Sequence, residues 1–188
     1  MTINYRRSWF RLPALVILLL IAFVGHAAAQ RDNLTDAESE LIRYHRELDK
    51  RVDVLIKAAD RRFAVINGTK PPSTKKQFSD EPDWGELPQG TRAELLSDVA
   101  GILDEAITNV DDVARRDARN PMLGKSLKKL TTAVNGYMTQ LEAMRSSTTD
   151  PKELAAMGRI ADNVKQILEA AGQHSAASGE NSNKKQKP

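Results

Sequence analysis

The chain contains no cysteine. That absence removes disulfides, thiolate metal sites, a thiol nucleophile, covalent c-type haem attachment and lipidation at a cysteine. An exported domain of this composition must be held by its core alone. Histidine is nearly as scarce, with only His26, His45 and His174. No Glu-x-x-His motif accompanies them, so a zinc or di-iron site lacks its ligands. No stretch alternates apolar and polar residues as a strand would. An excess of one charge is missing as well. Of the 28 Lys and Arg, Arg6, Arg7 and Arg11 precede residue 30, where no acid lies, so residues 30–188 carry 25 basic and 25 acidic side chains. The pI of about 9.2 is therefore mostly a property of the first residues. Nucleic acid loses its compositional support as a partner.

Those first residues have the layout of an export signal. Three arginines form a positive region, an apolar run covers 12–24, and Ala27, Ala28 and Ala29 offer small side chains to a signal peptidase. We expect the general secretory route, cleavage after Ala29 and a periplasmic or secreted product. The alternative is a membrane-anchored envelope protein with an uncleaved N-terminal helix, because the uncharged span 12–30 has 19 residues against the roughly 20 that a spanning helix needs. Pro13, Gly25 and His26 shorten its strongly apolar part. Contact with a membrane is expected only through this segment.

Beyond it, apolar residues recur every three or four positions. The clearest pattern spans 91–145, where Leu96, Val99, Leu103, Ala106 and Val110 form one stripe and Leu123, Leu127, Leu130, Val134, Tyr137 and Leu141 another. The short break at 117–121 predicts an antiparallel hairpin with the two stripes facing each other. Upstream, Leu41, His45, Leu48, Val52, Leu55 and Ala59 predict a single helix over 35–67, roughly 50 Å long. Downstream, Leu154, Met157, Ala161, Val164, Leu168 and Ala171 predict a last helix that Gly172 stops.

The starts carry local signals. Thr35 with Glu38 and Thr91 with Glu94 fit capping boxes, and Asn120-Pro121 and Asp150-Pro151 place a capping residue before a proline at the first helical position. The sequence thus predicts an all-α, antiparallel four-helix bundle, up-down-up-down, with helices over 35–67, 91–117, 121–146 and 151–171. Residues 30–172 form the domain, an irregular loop covers 68–90, and 173–188, with no large apolar residue, is expected to be a disordered tail.

Candidate functional residues fall where the stripes are interrupted. His45 occupies a stripe position, and together with Met122 it is the candidate pair for b-type haem, or for another ligand carried in the core. Neither comes with a cofactor motif, and no cofactor is assigned. In the loop, Phe78, Trp84 and Leu87 are candidates for binding a partner; docking of Trp84 on the helices would offset the small entropic cost of closing the loop. Leu95, Ile102, Ile107 and Ile160 flank the stripes and are candidate exposed contacts. Asp98, Glu105 and Asp112 repeat every seven residues and read as a solvated face. No nucleophile and base can be paired, so an enzyme is not expected. The expected role is binding or scaffolding, with an envelope protein or a second copy as partner.

Overall fold

The computed structural model describes residues 32–76 and 78–184, with side chains as far as residue 177. The segment expected to direct export, 1–29, lies outside the described residues. Among these, the fold is all-α, with α1 (Asp36–Tyr44), α2 (Leu48–Asn67), α3 (Arg92–Arg116), α4 (Pro121–Arg145) and α5 (Pro151–Lys184) and no strand. The expected count of four helices is therefore corrected to five.

Every predicted start forms for its local reason. The Thr35 hydroxyl accepts from Glu38 N at 3.2 Å while Thr35 N donates to Glu38 Oε2 at 3.0 Å. Thr91 and Glu94 repeat the exchange at α3. Asn120 Oδ1 accepts from Met122 N at 2.9 Å, and Asp150 Oδ1 accepts from Lys152 N at 2.8 Å. These bonds satisfy amides that a helix start leaves without intrahelical partners. Gly68, in the left-handed conformation at φ 61°, ends α2.

The single helix expected over 35–67 is broken at 45–47, where His45 and Glu47 take extended backbone angles. No glycine or proline marks the site. The cause lies elsewhere in the chain: the turn brings Glu38 back to Arg62, 2.8 Å away. Along an unbroken helix those residues would stand about 36 Å apart. His45 consequently leaves the core stripe and becomes the residue at which α1 ends.

Cross-helix bonds define the packing. Asp49 meets Lys125, Tyr137 reaches Asp60, and Asn67 meets Gln140, so α2 and α4 run side by side in the same direction. Arg92 meets Glu153, Ser97 meets Arg159 and Ala100 meets Asn163, which sets α3 along α5 in the same way. The principal neighbours of α3 are α5 and α2, whereas α3 and α4 touch little. The predicted hairpin is corrected accordingly: its two stripes face the core, yet each packs mainly on α2 and α5. With two large neighbours, α3 needs a wider apolar face than one stripe. Leu95 and Ile102 are therefore buried, as is Ile160 on α5, and Ile107 is partly buried. Conversely, Leu154 and Leu168 are exposed, because the buried face of α5 runs through Met157, Ile160, Val164 and Ile167.

Gly172 does not end α5, whose backbone continues to Lys184, correcting the coil expected from 173. A glycine inside a helix costs about 1 kcal/mol, which is less than a stop. Contact helps the helix to continue: a methyl built on Gly124 would stand 3.0 Å from His174 Nε2, so the imidazole lies directly over α4.

Candidate functional sites

Three arrangements of polar side chains stand out, the first and third of them organised by α2. The first is buried. Arg62 donates to Glu38 Oε1 at 2.9 Å, to the Ala58 carbonyl at 2.8 Å and to the Asn33 carbonyl at 2.6 Å, with Asp98 Oδ2 at 3.8 Å from its Nε. Arg61 lies 3.4 Å from the same Glu38 and donates to the carbonyls of Trp84, Gly85 and Glu86. Two guanidiniums and two carboxylates are thus removed from water together. Burial pushes the Arg61 guanidinium down from its ordinary pKa and Glu38 opposes the change; the group remains charged. Such clusters hold geometry more than they add net stability, because desolvation cancels much of the attraction. Asp98, expected on a solvated face, is buried here, while Asp112 remains at the surface, paired with Arg115 at 2.5 Å.

This cluster explains the loop. Trp84 is 6% exposed and joins the core, with the Arg61 guanidinium 5.4 Å and the Lys57 ammonium 4.9 Å from its ring centre. Gly85 follows at φ 61°, where a Cβ would stand 2.9 Å from Ala37 Cβ. Only glycine fits that close approach to α1. Of the three loop residues proposed as partner contacts, Trp84 is turned inward, whereas Phe78 is 53% and Leu87 37% exposed.

The second arrangement centres on His45. Its Nε2 lies 3.2 Å from Glu81 Oε1, both side chains being largely buried, and its ring meets Tyr44 edge-on at 5.1 Å between centroids. The imidazole therefore engages the loop rather than the helix core. Met122 is partly buried against the core in the first turn of α4. No group of three or more His, Cys, Asp or Glu side chains able to hold a metal ion occurs among the described residues. No described helix is long and apolar enough to cross a membrane.

The third arrangement is a groove of about 650 Å³ between α2 and α4, lined by Ile56, Ala133, Gly136 and the edge of the otherwise buried Tyr137. Lysines gather at one end. Lys125 reaches Asp49 Oδ2 at 2.5 Å, and Lys129 reaches Asp53 Oδ2 at 2.6 Å and Asp49 Oδ2 at 3.3 Å. Asp49 is buried, which raises its pKa, but the bonds from Lys125 and Lys129 outweigh burial and hold it below the ordinary carboxylate value. Farther along, the Tyr137 hydroxyl lies 2.8 Å from Asp60 Oδ1 and 3.1 Å from the Ile56 carbonyl. A phenol has one proton for these two acceptors. A proton on Asp60 would supply the second bond, and burial does push Asp60 up, against the Tyr137 bond and Lys57. Burial likewise pushes the Tyr137 phenol up, with Asp60 adding to it.

Local sequence signals exist for the groove only in part. Gly136 was legible as a small residue within a helix; the convergence of Lys125 and Lys129 on Asp49 joins positions about 80 residues apart and has no local signature. No protein-family model, curated protein or solved structure matches the chain, so its assignment rests on this geometry.

Proposed function

We propose that the protein is an exported binding or scaffolding protein that performs no chemical step, and that the α2/α4 groove is its binding surface. In this reading α2 to α5 make an up-down-up-down four-helix bundle, and α1 with the Trp84 loop clasps its outside. The observation that carries it is the contrast in how polar groups are spent. Glu38, Arg61, Arg62 and His45 are engaged in contacts inside the fold, whereas the groove keeps an open apolar floor with charges at its margin. Concave apolar surfaces with a few placed polar groups are the usual form of ligand sites. Phe78 and Leu87 give the loop a smaller exposed apolar surface beside it in sequence.

The test is a photoreactive residue in place of exposed Thr132, which lines the groove, introduced into the full chain in its own envelope. A specific adduct is expected there and not from the same residue at exposed Lys165. Equal labelling at the two positions, or none at either, would remove the groove from consideration. The mass of the recovered protein checks export in the same experiment: cleavage after Ala29 leaves Gln30 as its first residue, while an intact leader in the membrane fraction identifies the anchored alternative.

A further inference from the structure

We propose that the α2/α4 groove holds a long-chain carboxylate, its alkyl chain along Ile56, Ala133 and Gly136 and its headgroup at Lys128. The inference rests on the groove being a binding surface and adds the class of ligand.

Shape comes first. A Cβ built on Gly136 meets nothing within 4 Å, so α4 leaves a trough where most residues would fill the space. The lining extends along α4 from Lys125 to Gln140, about 22 Å of helix, the scale of a long alkyl chain. At the far end Asn67 Nδ2 donates to Gln140 Oε1 at 2.9 Å and bridges α2 to α4.

Charge selects the head. Lys125, Lys128 and Lys129 stand beside Asp49, Asp53 and Asp60, so the charges balance in number but not in pairing. Lys125 and Lys129 are held by those carboxylates, while Lys128 is exposed and forms no ion pair among the described residues. The complement is one anionic group, placed at one end of an apolar floor. Asp60, the remaining acid on the groove, is held by the Tyr137 hydroxyl at 2.8 Å. A small dianion would leave the floor unused, and a cationic amphiphile would meet Lys128.

Calorimetric titration of the exported full-length product with dodecanoate, below its micellar range, tests the inference. Saturable one-to-one binding is expected, with butanoate and dodecyltrimethylammonium each weaker by roughly tenfold or more. Gly136→Leu should fill the trough and lose at least about tenfold in affinity while the melting temperature is kept or raised. Lys128→Glu, at an exposed site, should weaken binding severalfold without touching the floor. Absence of saturable binding, equal affinity for the cationic amphiphile, or full affinity in Gly136→Leu overturns the inference. If dodecanoate fails to bind but the probe at position 132 gives its specific adduct, the ligand class is wrong and the binding role stands. If both fail, both fall.

Discussion

The two faces of α2 treat charge in opposite ways. On one, Arg61 and Arg62 are sealed beneath α1 and the Trp84 loop, and their partners come from residues 33, 38, 58, 84, 85, 86 and 98. On the other, Asp49 and Asp53 meet lysines that remain open to water beside an unfilled groove. Both sets are ion pairs, but their energetic meaning differs. A buried pair is costly to break singly, because the survivor keeps its desolvation penalty. A half-exposed pair is worth little and is free to exchange one partner for another. The sealed face fixes the chain's path, and the open face is suited to a visitor.

Removing one member of each set gives the largest expected separation. Glu38→Ala strands Arg61 and Arg62 and also deletes a helix cap, and should cost about 3–5 kcal/mol in urea unfolding. Lys129→Ala on the open face, which leaves Asp49 to Lys125, should cost no more than about 1 kcal/mol. Similar losses for the two would erase the distinction.

Acid titration sharpens it further. Asp49 has a folded pKa below the ordinary carboxylate value near 4, so its contribution is complete above that value and is lost as pH falls through the lowered folded value. Asp60 and Glu105 are raised by burial, so theirs is complete below about pH 4 and is lost as pH rises through the raised values. Unfolding midpoints over a pH series should show Asp49→Asn flattening the acid limb and Asp60→Asn flattening the decline above about pH 4. An unchanged upper limb in Asp60→Asn would mean that this carboxyl is not shielded in the groove wall.

The smallest effect separates two glycines. Gly136→Ala enters open space and should stabilise by about 1 kcal/mol. Gly101→Ala should show no such gain, because its Cβ would fall 2.2 Å from the Asn33 side chain, in a segment whose carbonyl Arg62 holds. Paired melting temperatures decide it; equal shifts would mean Asn33 yields freely.

What could be read from the sequence follows the same division. The caps at Thr35, Thr91, Asn120 and Asp150 involve neighbours within three residues, so their signal is local. The stripes of α3 and α4 were legible because burial repeats with the helix period. The break at 45–47 was hidden, since Leu41 and Leu48 keep the spacing of one continuous stripe across it. Arg62 stands where the stripe's spacing calls for an apolar residue, and its reason lies with Glu38 and Asp98, 24 and 36 residues away. Leu95, Ile102 and Ile160 read as exposed contacts because a stripe counts one neighbour where α3 and α5 each have two large ones.

The arrangement around Glu38 also sets an order of events. A nine-residue helix is too short to persist alone. Its cap box is made early, as the chain is synthesised from the N-terminus, but Arg61 and Arg62 follow more than 20 residues later and Asp98 only after 60. The first helix among the described residues is thus among the last to be secured. Until then residues 32–44 lack the partners that hold them in the finished fold.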